Sequence, residues 1–269
     1  MRAINSLGRA LNSCGLPPLR LSAVALMAAA QRRTGLSDWG DASFREAFRR
    51  LLEAYERTAQ LHLLGRLALR QECLRLLSNR LRIQEDLKRF PLIEQTPIKK
   101  PLVIVGLPRT GTTLLHHLLA QDPSARVPRL WELLQPSPPP CPGTLATEPR
   151  LKQAEQLIRR AITLAPHFQA LHPLSATGPE ECLFLFQHAF MSVVFEAYGE
   201  VPAISPGCYT KISRRSIGII SNNYKCCSGV GRATIGSSSR RIISSFWTCC
   251  SRSFPMRAWC RPIVILPRP

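Results

Sequence analysis

Pro101-Leu-Val-Ile-Val-Gly106-Leu-Pro-Arg-Thr-Gly111-Thr-Thr-Leu-Leu115 is the stretch on which the fold turns. An apolar run rich in β-branched residues stops at a glycine. A short loop follows, ends in a second glycine and two hydroxyl residues, and gives way to a helical pattern. The pattern predicts a buried strand, a phosphate-cradling loop and the start of a helix. Backbone N–H groups at such a helix start have no intrahelical partner, and with the positive end of the helix dipole they favour an anion. Gly106 and Gly111 have the spacing of G-x-x-x-x-G-K-[ST], but Thr112 stands where the lysine of that pattern belongs. The cation sits inside the loop instead, as Arg109 after Pro108. A guanidinium grips phosphate or sulfuryl oxygens in two places, which an ammonium cannot.

Pro108-Arg-Thr-Gly-Thr-Thr113 resembles the donor-binding loop of sulfotransferases that use 3′-phosphoadenosine 5′-phosphosulfate (PAPS). The resemblance continues through Leu114-Leu-His-His-Leu-Leu-Ala-Gln-Asp-Pro123 to Trp131-Glu132, and covers roughly residues 20 to 203. It is a resemblance to the broad bacterial-type family of P-loop sulfotransferases. It implies an α/β, three-layer P-loop-like fold with a mainly parallel sheet and an N-terminal helical segment. It also implies transfer of a sulfuryl group from PAPS, without a metal, to a hydroxyl or amine of a small molecule, lipid or glycan. Pro108, Arg109, Thr110, Gly111, Thr112 and Thr113 would hold the 5′-phosphosulfate, with Arg109 stabilising the transferring group. Related sulfotransferases take the acceptor proton with a histidine or a glutamate. Here the resemblance points first to Glu132, with Glu180 and Glu181 as alternatives. A helix-start or solvated charge is the plainer reading of each glutamate. His116 and His117 are adjacent on the donor helix, so at least one is expected to pack. His167, His172 and His188 carry no readable pattern. A nucleotide-binding or kinase-like protein is the rival of a different class, and the missing lysine argues against it.

The 269 residues suffice for one substantial core or one domain with a helical extension, and the expected division is 1–98 helical, 99–203 loop-bearing and 204–269 a tail. Charge isolates the tail. The chain carries +19, yet after Glu200 there is no Asp or Glu while eleven Lys and Arg follow. Cys208, Cys226, Cys227, Cys249, Cys250 and Cys260 also fall there, and the apolar periodicity is lost. A shifted reading frame explains this. Codons can be chosen for Thr234 to Arg268 so that reading one base earlier gives a peptide with Trp-Val-Leu-Lys, Phe-Pro-Asp-Ala-Arg and His-Arg-Asp-Pro. That is the order in which the resembled family places its second core strand and 3′-phosphate site. The tail is therefore expected to be out of frame and not natively folded, and the chain impaired as a catalyst. Taken at face value, the tail is instead a basic segment that binds nucleic acid or a membrane surface. Its adjacent cysteine pairs lack zinc-site spacing.

Upstream, Leu21 to Ala30 reads as a helix rather than a secretory signal, and no stretch has the length of a membrane span. Cys14, Cys73, Cys141 and Cys182 are single and unpatterned, which suits a reducing cytoplasm. Ser43-Phe-Arg-Glu46 reads as a capping box ahead of a stripe of Phe44, Phe48, Leu51, Leu52 and Tyr55. Leu63, Leu67, Leu74, Leu77 and Leu81 form a second stripe. Gln135 to Pro142 is proline-rich and reads as an irregular connection, and Leu151 to Leu164 as a helix. Pro179 is expected to open an apolar helix running to about Ala197.

Overall fold

In the computed structural model the described residues are 6, 19–95, 102–106, 110–123, 125–140, 148–167, 169, 172–201, 241–247 and 263–265. The chain divides into two compact units, Met1–Glu85 with Phe186–Ile220, and Asp86–Leu185 with Ser221–Pro269.

The first unit is helical. Helix α1 (Ala23–Thr34) starts where the Ser22 hydroxyl accepts the Ala25 N–H (3.4 Å), and it stops at Gly35. There φ is 70°, a left-handed conformation that glycine adopts without a Cβ penalty, and the Gly35 N–H donates to Gln31 O at 2.8 Å. Helix α2 (Phe44–Arg57) buries the stripe expected of it: Phe44, Phe48, Leu51, Leu52 and Tyr55. Helix α3 (Leu63–Arg89) runs 27 residues and buries Leu74, Leu77 and Leu81 of the second stripe, while Leu67 is exposed. These residues form one core with Leu26, Trp39, Leu69, Leu76, Phe190 and Phe195. Phe190 is its hub, with ring centroids 4.3 Å from Phe48 and 6.1 Å from both Phe44 and Phe195.

Polar groups inside this core have partners. The Tyr55 hydroxyl donates to the Phe195 carbonyl. Asn79 Nδ2 donates to His188 Nε2 (3.2 Å), which makes that ring nitrogen the acceptor. The Arg80 guanidinium is buried, lies 4.0 Å over the Phe44 ring, and donates to Trp39 O (2.9 Å), Asp41 O (2.6 Å) and His188 O (3.4 Å). Burial pulls its pKa down to about 10, with the Asp41 charge opposing, still high enough to keep the charge at neutral pH. Arg80 therefore ties the loop before α2 to the segment after Gln187.

Two expectations fail in this unit. The Ser43 side chain makes no cap hydrogen bond and its backbone is already helical. Its N–H donates instead to Asp41 Oδ1 (2.7 Å), and Glu46 pairs with Arg49 and Arg50 on the surface. The helix expected from Pro179 to about Ala197 is also broken. Pro179 is held in an extended bridge to Arg129, so the helix α8 covers only Leu183–Gln187. Phe190 then takes φ 57°, and a short 3₁₀ helix (Val193–Tyr198) restarts behind Ser192, whose hydroxyl accepts the Val194 N–H (3.3 Å).

The second unit follows the one-turn helix α4 (Leu92–Gln95) with strand β1 (Leu102–Gly106) and helix α5 (Thr112–Leu119). Strand β2 (Ala125–Arg126), helix α6 (Leu130–Leu134) and helix α7 (Pro149–Leu164) come next, and Gln135–Pro140 between α6 and α7 is irregular, as its prolines require. The sheet order is β2-β3-β1-β4. Strand β3 (Arg241–Trp247) runs parallel to β1, from Leu102 opposite Ile243 to Gly106 opposite Trp247, and parallel to β2. Strand β4 (Ile263–Ile265) is antiparallel to β1. Both β3 and β4 come from the tail expected to lie outside the fold, so that expectation does not hold for these ten residues. The rest of 202–269 lies outside the described residues, as do Cys14, Cys141 and the six tail cysteines. Cys73 and Cys182 are buried free thiols.

Candidate functional site

Strand β1 carries the chain into the loop, and α5 carries it away. Leu102 and Ile104 pack against Leu115 and Leu119, which fixes the helix against the strand. Gly111 is the N-cap residue, with φ 86° and ψ 12°, and its carbonyl accepts the Leu115 N–H at 3.0 Å. An L-residue in this left-handed region is strained, so a glycine is needed where the loop turns into the helix. Thr112 and His116, one turn apart, are buried, while Leu114 and Leu118 face outward. Of the adjacent histidines, His116 is the packed one and His117 is half-buried, their rings edge to face at 6.5 Å. Pro108 and Arg109 lie outside the described residues.

Opposite α5 the chain is clamped by backbone pairing. Leu130 N–H donates to Gly178 O (3.3 Å), Trp131 N–H to Ala176 O (3.1 Å) and Glu180 N–H to Pro128 O (2.9 Å). This ties the bend at 176–178 and the bridge at Pro179 to 128–131 and brings Glu180 and Glu181 to a small cleft shared with Thr113, His116, His117 and His172, with Pro173 and Pro179 at its sides. Glu180 is buried, and its carboxylate accepts the Glu181 N–H at 2.8 Å. His172 Nε2 lies 3.2 Å from both Glu180 oxygens. Hydrogen bonding to Glu180 raises the His172 pKa above its ordinary value, with Glu181 adding to the effect and partial burial opposing it. Periodicity gives no sign of His172; only the distant pairing of 128–131 with 176–180 brings it to α5.

Glu132 does not line this cleft. Its carboxylate is buried, takes the Arg126 guanidinium at 2.5 Å, and reaches back to the Arg129 N–H at 2.9 Å. That geometry joins β2 to the start of α6. Arg150 makes a second buried charge centre on α7. Its two nitrogens grip Glu148 at 2.7 Å each, it donates to Gln135 O (3.0 Å) and Pro138 O (2.5 Å), and it lies 4.8 Å over the Trp131 ring. Among the described residues no group of His, Cys, Asp and Glu is placed to hold a metal ion, and no helix is long and apolar enough to cross a membrane.

Comparison with known proteins follows the same line. The profile of the Sulfotransferase family matches residues 101–220. The sulfotransferase STF1 from Mycobacterium tuberculosis superposes with a TM-score of 0.70 at 28% identity, over 84% of this chain and 61% of that one. The sulfotransferase STF9 from Mycobacterium avium gives a TM-score of 0.71 at 22% identity, over 84% of this chain and 56% of that one, a likeness of fold. The chain thus spans about three-fifths of the length of these solved relatives. No curated protein sequence matches it significantly. The strand, glycine loop and helix in the order Leu102 to Leu119 lie within the stretch that the profile of the Sulfotransferase family matches.

Proposed function

We propose that this chain is built to transfer a sulfuryl group from PAPS to a hydroxyl or amine acceptor, a small molecule, lipid or glycan, on a three-layer α/β fold with a mainly parallel sheet that has β1 inside it. The observation that carries the reading is the junction of β1 and α5, where a left-handed Gly111 delivers the chain to a helix start with Thr112 and Thr113 in its first turn. The N–H groups of that turn, with the hydroxyls of Thr110, Thr112 and Thr113, fit the 5′-phosphosulfate. Arg109, which follows Pro108 in the sequence, is assigned the positive charge of the loop. In the transfer, the acceptor atom forms a bond to sulfur as the bond from sulfur to the donor phosphate oxygen breaks. The departing 3′-phosphoadenosine 5′-phosphate keeps the electron pair. Charge spreads over the sulfuryl oxygens, and as in phosphoryl transfer the protein's part is positioning and electrostatic stabilisation. Glu132 is better read as a structural carboxylate than as the base, because Arg126 and the Arg129 N–H already occupy it. The cytoplasm is the proposed compartment, in keeping with the free thiols of Cys73 and Cys182.

Calorimetric titration with PAPS and with ATP-Mg²⁺ tests this reading. PAPS is expected to bind the more tightly, and the reverse order points to a kinase-like protein. Arg109→Ala is expected to lower kcat about 10²–10³-fold, the scale of a lost charged or oxyanion donor. Unchanged turnover removes Arg109 from the chemistry.

The frame of the tail belongs to the same proposal. Backbone pairing tolerates many sequences, so β3 and β4 beside β1 do not decide whether 204–269 is in frame. Composition supports the shift, while the family match runs to residue 220, past the proposed break near Ala203. The nucleotide sequence around Ala203 to Cys208 is the test. An open alternative frame encoding Trp-Val-Leu-Lys and His-Arg-Asp-Pro supports the shift. Stop codons there make the tail genuine, and salt-dependent nucleic-acid binding becomes the property to measure.

A further inference from the structure

We propose that the basic tail is an intramolecular strand donor, with β3 and β4 closing both edges of β1 and keeping that strand from pairing with a second copy of the chain. This role is independent of the donor chemistry proposed above. Three observations carry it. Among the described residues, the two strands paired with β1 both lie beyond residue 240, β3 on one side and β4 on the other. Val103, Ile104 and Val105 have a partner on each side: Ser244, Ser245 and Phe246 in β3, and Ile265, Val264 and Ile263 in β4. Second, β3 also pairs with β2, Ala125 opposite Arg241 and Arg126 opposite Ile242, so it is the strand that joins β2 to β1. Third, the sequence marks both tail segments as strands of limited length. Arg241-Ile-Ile-Ser-Ser-Phe-Trp247 is rich in β-branched and aromatic residues, has its one charge at the start, and follows Gly236-Ser-Ser-Ser239. Ile263-Val-Ile265 is uncharged, and Pro262 and Pro267 bracket it.

Leu102-Val-Ile-Val105 is uncharged, largely β-branched and free of proline. With open edges, a strand of that kind offers a row of N–H and C=O groups to any extended chain that meets it. The ladder is made by backbone groups, so a segment of very different composition from the rest of the protein fits the place. Covalent linkage makes the encounter of the tail with β1 intramolecular, which favours it over a second copy in dilute solution. The pairing runs to Gly106, the last residue of β1 before the loop, which lies opposite Trp247. Strand β3 thereby also fixes the end of β1 from which the loop departs.

Hydrogen exchange at low concentration and light-scattering mass over a concentration series, both on the full chain, test this. Ser244→Pro with Ser245→Pro removes ladder donors from the middle of β3, and Ser237→Pro with Ser238→Pro makes the same change ahead of that strand. The parent is expected to protect Leu102–Gly106. The β3 variant is expected to lose about 10–10²-fold in protection there, to keep that of α2 and α3, and to gain mass with concentration where the parent does not. The control variant is expected to match the parent in both measurements. Unprotected β1 amides in the parent overturn the proposal, because the tail then does not hold the strand. So does a β3 variant with the parent's protection at Leu102–Gly106, and so does a control variant that loses as much, since composition rather than pairing is then at work. Equal loss in α2 and α3 also overturns it, because the tail then supports the whole chain and not the edges of β1. Protection lost at unchanged mass overturns the shielding of β1 from a second copy.

Discussion

The two units hold themselves together by different means. In the helical unit, a continuous aromatic and aliphatic core surrounds Phe190, and its few buried polar groups serve to tie loops to helices. In the loop-bearing unit, the apolar clusters among the described residues are small: Leu102 and Ile104 in one, Trp131, Ala154 and Ala176 in another. Beside apolar residues such as Ile93, Leu130, Leu133 and Leu185 it buries Thr112, His116, Glu132, Arg150, Glu180 and Glu181, three of them carboxylates. The polar groups buried in the helical unit are instead Ser78, Asn79, Arg80, Gln187, His188 and Ser192 among the described residues. Apolar burial is non-directional and tolerant, whereas buried charge stabilises only in a precise geometry and is costly when one partner is lost. A unit of the second kind can aim a carboxylate at a histidine. It also tolerates less change.

The largest effect that tests this contrast is at Phe48. Its side chain is fully buried and in ring contact with Phe190, so Phe48→Ala should cost about 3–5 kcal/mol. Hydrogen exchange should show the loss in α2 and α3 while β1 and α5 keep their protection. Equal loss of protection in β1 would break the contrast, because it would show one cooperative core.

Glu132→Ala is the counterpart in the other unit. It leaves Arg126 without its carboxylate and the Arg129 N–H without an acceptor. We expect about 2–3 kcal/mol, below the 3–5 of a fully buried pair because Arg126 keeps some access to water. Exchange should rise in β2 and α6. A Glu132→Gln variant keeps the backbone acceptor and should recover part of the loss. If Glu132→Ala instead leaves stability alone and abolishes turnover, Glu132 is the base and the structural reading of it fails.

Arg150→Met comes next, at about 1–3 kcal/mol, since it removes charge-assisted hydrogen bonds to Glu148 and two carbonyls. It also changes the pH response. Hydrogen bonding to Arg150 holds the Glu148 carboxyl below its ordinary 4.5. A depressed carboxyl contributes stability above its unfolded value and loses it as pH falls through the folded one. Thermal melts of the parent should therefore fall more steeply below pH 4.5 than those of Arg150→Met. Parallel curves would show that this ion pair does not contribute.

These sites also show where sequence reasoning succeeds. The stripes of α2 and α3 are legible because an amphipathic helix writes its buried face at a fixed spacing. The strand, loop and helix from Leu102 to Leu119 are legible because glycine, hydroxyl and β-branched residues each have a local role. The cleft is not legible. His172 meets Glu180 because 176–180 is bridged to 128–131, a pairing some fifty residues apart that no local period encodes. The role of Glu132 is not legible for the related reason that a carboxylate three residues into a helix has the same spacing whether it caps the helix or faces a ligand.

The smallest expected effect is at Ser43, where local pattern and structure disagree. Ser43-x-x-Glu46 has the capping-box spacing, and a genuine cap serine typically costs about 1 kcal/mol when replaced by alanine. Here the residue that accepts at the helix start is Asp41, two positions earlier, through the Ser43 N–H at 2.7 Å. Glu46 is turned to Arg49 and Arg50, whose hydrogen bonds hold its carboxyl down at about 2, and it lies in open solvent where such pairs are screened. Ser43→Ala should therefore change stability by no more than about 0.5 kcal/mol. Asp41→Ala should cost about 1 kcal/mol. Glu46→Gln should leave the denaturation midpoint where it is at high salt. Denaturant titrations of the three variants rank the two geometries directly. A larger loss for Ser43→Ala than for Asp41→Ala would restore the capping box at the start of α2.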